Sequence, residues 1–233
     1  MKKASLLFGA VCLALGAASA GASERPIVVE LFTSEGCSSC PPADALLSEL
    51  AGRPDVLALS YHVDYWDRLG WKDPFSSAAA TRRQYRYAEL LGLATVYTPQ
   101  IVVDGKWQAV GSDRDEVEQA LSSARRNREE VPIALAIDHG HVRITLGPRR
   151  AGARAAVLLV GFDRRRVTDV KRGENAGRSL AHIDVVRSLD EITRSDGQES
   201  VIEAPVGGVF DRVAAILQAE DGRIFGVAVH DVN

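Results

Sequence analysis

The sequence predicts an α/β domain of order βαβαββα followed by a β-rich, sandwich-like domain. Three observations carry that prediction. Near the N-terminus, two short apolar runs flank a helical pattern with tight links between them. An Asp104-Gly105 pair separates two further apolar runs, a strong hairpin signal. After the charged linker Arg125–Glu130, helical periodicity stops and short alternating apolar segments take over. The expected boundaries are 26–127 for the first domain and 131–233 for the second, with a leader over 1–22.

Each element has a local cause. Ile27 to Phe32 is rich in β-branched residues and reads as a buried strand. Pro41 and Pro42 suit a first helical turn, where no backbone donor is needed. Ala43, Leu46, Leu47 and Leu50 then fall on one face of a helix that Gly52-Arg53-Pro54 ends. Val56 to Val63 is the second strand, and strand–helix–strand with short links implies parallel pairing. Asp64 to Phe75 is an aromatic loop, and a helix from about Ser76 stops at Gly92. Gln100–Val103 and Trp107–Val110 form the hairpin. Ser112 and Asp115 form a capping box for a helix carrying Val117, Ala120, Leu121 and Ala124. Beyond the linker, strands are expected at 133–137, 142–146, 155–162, 180–189, 201–205, 212–218 and 224–230.

The first residues are of another kind. Lys2 and Lys3 precede an uncharged, mostly apolar run, and Ala18-Ser19-Ala20 and Ala20-Gly21-Ala22 fit small-x-small cleavage sites. This is the pattern of a secretory signal peptide, and the run is too short for a membrane span. A retained anchor and, through Cys12, lipidation are the alternatives. Cleavage takes the formal charge from −3 to about −5, which gives no electrostatic reason to expect a nucleic-acid partner. No later segment is apolar enough to span a bilayer.

Removing Cys12 leaves two cysteines, Cys37 and Cys40, in "EGCSSCPPAD". A disulfide stabilises mainly by closing a long loop, and a two-residue gap closes almost none. The pair is therefore expected to exist for its chemistry. The element order, with C-x-x-C after the first strand, resembles the thioredoxin arrangement. A thiol at a helix N-terminus meets unpaired N–H groups and the positive end of the helix dipole, which favour the thiolate that attacks disulfides. Cys37 is expected to be the exposed nucleophile and Cys40 the resolving thiol. Thr98-Pro99 stands where that arrangement places a cis-proline facing the cysteines, to position substrate; a trans proline merely opening a strand is the alternative.

Other candidates rim the same end of the sheet. Glu30, inside an apolar strand, is either a proton shuttle for the cysteines or a paired acid; the direct thioredoxin count falls on Leu31 instead. Glu35 is expected near the thiols, where its charge would raise their pKa. His62 and Asp64 follow the second strand, and Tyr65, Trp66, Trp71 and Phe75 either platform a substrate or pack the loop. Cys37, Cys40 and His62 would suit copper(I) better than zinc, which needs about four ligands; a satisfied, partly buried histidine is the alternative for His62. Lys171–Arg178 is a glycine-rich loop that either binds an anion through Arg172 and Arg178 or is a solvated hairpin turn. Arg164–Arg166 reads as a solvated face.

"ELFTSEGCSSCPPAD", "YHVDYWDRLGWKDPF", "YTPQIVVDG" and "RGENAGRSLAHIDVVRSL" together resemble a secreted bacterial family, domain of unknown function 1223. The resemblance covers nearly all of the chain from about Pro26. It implies a thioredoxin-like fold with an appended β-rich part, and an exported location. It carries over Cys37, Cys40, Thr98 and Pro99. Gly36 and Ser38-Ser39 depart from ordinary thioredoxins, which leaves the direction of electron flow open. The expected function is an exported thiol–disulfide oxidoreductase acting on protein or small-molecule disulfides without a bound cofactor. The alternatives are copper(I) handling by the same cysteines, or a non-enzymatic binding module with a structural disulfide.

Overall fold

In the computed structural model, which describes residues 25–149 and 154–232, β1 (Ile27–Thr33) is buried along its whole length. The expected leader, 1–22 with Cys12, lies outside the described residues. β1 pairs in parallel with β2 (Val56–His62), from Ile27 opposite Val56 to Thr33 opposite His62. α1 (Pro41–Ala51) makes the crossover. On the other side of β1 runs β3 (Gln100–Val103), antiparallel, and beyond it β4 (Trp107–Val110). Asp104 and Gly105, both at positive φ, make the turn between them, as a two-residue hairpin requires. That turn abuts Asp221-Gly222: a Cβ on Gly105 would lie 1.9 Å from the Gly222 carbonyl oxygen, so no side chain fits there.

Side-chain alternation along β1 sorts the two faces. Ile27, Val29 and Leu31 meet Leu46, Leu47 and Leu50 of α1 and Val117 and Leu121 of α3 (Arg114–Arg126). Val28 and Phe32 face α2 (Ala78–Leu91), whose Tyr87 packs on Phe32 edge to face. Each such buried leucine contributes about 1.5–3 kcal/mol. α2 begins at Ser77, which accepts from the Ala80 N–H, and ends at Gly92 in the left-handed region. α3 differs from the expected capping box by one residue. Asp113, extended and carrying an acceptor, takes the Glu116 N–H, so the helix starts at Arg114.

The C-terminal half is β-rich: β5 (Ile133–Asp138), β6 (His141–Leu146), β7 (Ala155–Asp169), β8 (Ser179–Ser195), β9 (Ser200–Pro205), β10 (Arg212–Ala219) and β11 (Ile224–Asp231). Its strands do not form a unit of their own. The large sheet has eight strands in the order β11-β10-β7-β8-β2-β1-β3-β4, joined where Ser60 of β2 lies parallel to Val185 of β8. β5, β6 and β9 form a second, three-stranded sheet. Val142, Ile144 and Leu146 from it pack on Val157, Leu159, Val213, Ala215 and Leu217 of the large sheet. The facing layers of a sandwich are thus present, but one of them continues the first domain's sheet. The fold is mixed α/β, with three α-helices among the described residues.

β7 and β8 also run further than expected. Past Phe162 they pair from Asp163–Val185 to Asp169–Ser179 as a two-stranded arm. Arg164, Arg165 and Arg166 are exposed there, which hides the strand from any reading by hydrophobic period. The arm carries its turn, residues 171–178, to the cysteines.

Candidate functional site

β1 ends one residue before the turn that holds the pair. Cys37 donates its N–H to the Ser34 carbonyl, and Cys40 donates to the Cys37 carbonyl. Cys40 is the N-cap of α1, its carbonyl accepting from Ala43 and Asp44, with Pro41 at the first helical position. The two cysteines form a disulfide with Cα atoms 5.4 Å apart. Cys37 Sγ lies 3.3 Å from Ser39 Oγ. Both cysteines are 0% exposed. The expectation of an exposed Cys37 is therefore corrected; the β7–β8 turn docks on this stretch of backbone.

Asn175 at the tip of that turn is buried. Its Nδ2 donates to the carbonyls of both Glu35 and Cys37, each at 2.9 Å. Arg178 donates to Asn175 Oδ1 at 2.9 Å, fixing which way the amide points. Beside it, the Glu174 carboxylate accepts the Ser38 N–H at 2.9 Å. Hydrogen bonds from the Ser38 side chain and backbone hold Glu174 below its ordinary range. Gly173 sits against Trp71, where a Cβ would come within 3.1 Å. The glycine-rich loop is thus a hairpin turn whose tip docks on the cysteine turn, and Arg178 is engaged within it.

Behind the turn lies a buried group of acids and imidazoles. Glu35 Oε2 accepts from Trp71 Nε1 at 2.7 Å, and the Glu35 N–H is donated to Asp73 Oδ2. Glu35 Oε1 is 3.4 Å from His182 Nε2, and Asp44 Oδ1 is 3.6 Å from His182 Nδ1, ion-pair distances rather than tight hydrogen bonds. The His182 ring meets the His62 ring edge on, 4.6 Å between centroids. His62 Nδ1 lies 2.7 Å from Asp73 Oδ2. Burial alone would raise the Asp73 carboxyl, but the His62 charge and hydrogen bond and the Glu35 and Phe75 N–H groups hold it below its ordinary range. Burial works against a charged His182, but the Asp44 and Glu35 carboxylates outweigh it and lift the imidazole to about 9.

His182 was absent from the expected site residues. It lies on β8, far from Cys37 in sequence, and only the strand join at Ser60–Val185 brings it in. Its signal in the sequence is a histidine inside an alternating apolar run, "LAHIDVV". The raised pKa has a consequence for stability. The folded value lies above the unfolded 6.5, so the contribution is complete below that pH and is lost as pH rises through about 9. The span corresponds to on the order of 3 kcal/mol. Denaturant unfolding of the oxidised protein from pH 6 to 10 should show this decline, and His182→Asn should flatten it; parallel curves would contradict the assignment.

The other expected residues divide. The Thr98–Pro99 peptide bond is cis. Pro99 packs by the first turn of α1: a Cβ on Gly111 would touch Ala43, Leu31 and Pro99 at once. Thr98 Oγ1 accepts from Trp66 Nε1 at 2.8 Å, and Trp66 in turn covers Gly36, so the aromatic loop spans from the proline to the cysteine turn. Glu35 and His62 belong to the buried group.

Glu30 does not face the cysteines. By alternation it shares the α2 face with Val28 and Phe32, while α1 packs on the other. There it accepts from Arg83 Nη2 at 3.0 Å and Nε at 2.5 Å, and from the Tyr87 hydroxyl. Asp64 is also displaced from the site, because its Oδ1 accepts from Thr81 Oγ1 at 2.6 Å and ties the loop to α2. Among the described residues, no set of three or more His, Cys, Asp or Glu side chains is placed to hold a metal ion. Cys37, Cys40 and His62 are thus not assembled as a copper site in this disulfide state.

A family model described as "Protein of unknown function (DUF1223)" matches residues 28–218. Among solved structures, the crystal structure of an Agrobacterium tumefaciens protein is similar at 33% identity and a TM-score of 0.79, over 91% of this chain and 97% of that one. HBP35 of Porphyromonas gingivalis is similar at 15% identity and a TM-score of 0.63, over 89% of this chain and 75% of that one, a likeness of fold alone. No curated protein matches the chain significantly. No helix among the described residues is long and apolar enough to cross a membrane.

Proposed function

The chain belongs to the DUF1223 family, and from the chemistry of its site we propose that it is an exported thiol–disulfide oxidoreductase built on a thioredoxin-like sheet. The observation that carries this reading is the Cys37–Cys40 disulfide at the N-terminus of α1. The order β1-α1-β2-α2-β3-β4-α3, with Pro99 beside the first turn of α1, supports the thioredoxin-like assignment. The signal-peptide pattern at residues 1–22 supports export.

The steps are those of disulfide exchange. In the reduced protein the Cys37 thiolate attacks one sulfur of a substrate disulfide, forming a mixed disulfide and releasing the other sulfur as thiolate. The Cys40 thiolate then attacks Cys37 Sγ. This closes the Cys37–Cys40 bond and frees the second substrate thiol, so two electrons pass to the substrate. Thr98 and Pro99 would line an extended substrate. The reverse sequence oxidises substrate dithiols.

Full burial of both cysteines favours one competing reading, a binding module whose disulfide is structural. Equilibration with glutathione buffers separates the two, with Cys37→Ser as the inactive control. A reduction potential between roughly −120 and −270 mV with rapid exchange is expected. A value below about −300 mV with slow exchange would sink the oxidoreductase reading.

A further inference from the structure

We infer that His182 is a positioning residue of the cysteine pair: a cation delivered by the C-terminal strands that favours the thiolate of the reduced couple. The inference deepens the exchange reading above and rests on it for its function. Its basis is placement. Glu35 precedes Cys37 by two residues. Asp44 follows Cys40 by four, one helical turn, so the two side chains share a face of α1. His182 points one ring nitrogen at each of these acids, 3.4 Å from Glu35 and 3.6 Å from Asp44, and the residue is 2% exposed.

Two buried carboxylates flanking a thiol pair oppose the formation of a third anion. A single imidazolium between them offsets that opposition, and its lift to about 9 is what the two acids would produce. Among the described residues, the other contacts of the His182 ring supply no second cation. His62 meets the ring edge on and has Asp73 at its Nδ1. Phe75 packs 6.0 Å away. Arg166, opposite His182 on β7, is bound to Asp163. Trp71 donates to the far oxygen of Glu35.

The couple balances as follows. A dithiol reductant is oxidised to its disulfide and gives two electrons to Cys37–Cys40. Of the two protons the dithiol gives up, Cys40 takes one and the other passes to water, so Cys37 remains a thiolate near neutral pH while His182 keeps its own proton. Without the imidazolium, Cys37 takes a second proton at the same pH.

The test is the thiolate titration of the reduced protein, followed by far-ultraviolet thiolate absorbance, for wild type, His182→Asn and Asp44→Asn. His182→Asn is expected to raise the thiolate midpoint by at least about one pH unit, a tenfold loss of thiolate fraction at a given pH. Asp44→Asn is expected to lower it. A merely structural histidine would change the melting temperature and leave the titration where it was. Coincident titrations in a folded His182→Asn protein would overturn the inference, as would shifts of the same sign in both variants. Should His182→Asn not fold, Asp44→Asn decides alone, and an unmoved midpoint there overturns it. Wild type that fails to exchange disulfides would defeat the exchange reading while leaving this titration fully readable.

Discussion

Replacing Glu30 by alanine is expected to lower the unfolding free energy by about 3–5 kcal/mol, the cost of leaving a buried charge without its partner. The Arg83 side chain is 5% exposed, and Glu30 takes its Nε and Nη2. What would remain is Gln218 Oε1 at Nη1 and the Tyr87 hydroxyl at Nη2, both neutral. Arg83 cannot escape by losing its proton, because a guanidinium keeps its charge in proteins even when buried. The Tyr87 and Gln218 bonds cross from α2 to β10, so the loss would loosen the contact between the first sheet half and the C-terminal strands.

Denaturant unfolding at neutral pH measures the loss, and a change under about 1 kcal/mol would contradict it. The double variant Glu30→Leu with Arg83→Met should recover much of the stability, because both desolvation costs disappear together. Glu30→Gln should leave the thiolate titration unmoved, since Glu30 lies on the sheet face opposite α1. A shift there would restore the proton-shuttle role that the structure removes.

Glu30 also illustrates what the sequence can and cannot disclose. An acid inside "IVVELF" announces that something must compensate it, but not what, because Arg83 is 53 residues away. Local features were legible. The α1 stripe of Leu46, Leu47 and Leu50, the Asp104-Gly105 turn and the Gly92 stop each encode their own geometry within a few residues. The joining of the two halves was not, because Ser60 opposite Val185 is a long-range pairing that neither residue advertises. Arg164–Arg166 read as a solvated face because the β7 side of the arm is exposed at consecutive residues and has no apolar alternation to show. His182 and Asn175 stayed hidden for another reason: each reaches the surroundings of the cysteine turn only after that arm has been built.

Replacing Asn175 by alanine is expected to speed reduction of the Cys37–Cys40 bond by about 5- to 140-fold. A reductant must reach a sulfur, and neither cysteine has exposed surface while the hairpin tip is docked. The observed rate is then the intrinsic rate multiplied by the fraction of molecules whose tip has opened. Asn175 closes the tip with two buried hydrogen bonds, to the carbonyls of Glu35 and Cys37. Net worth of each such bond is about 0.5–1.5 kcal/mol, so their loss raises the open fraction by that sum, and every 1.4 kcal/mol is about tenfold. Glu174→Gln should act more weakly, because its bond to the Ser38 N–H is at the exposed rim. Pseudo-first-order reduction by a phosphine, with circular dichroism to verify the fold, reads the effect directly. A rate unchanged from wild type would mean that the sulfurs are reached by a path that leaves the tip in place. An acceleration would make the hairpin the gate that a substrate has to displace, and would reconcile a buried disulfide with exchange chemistry.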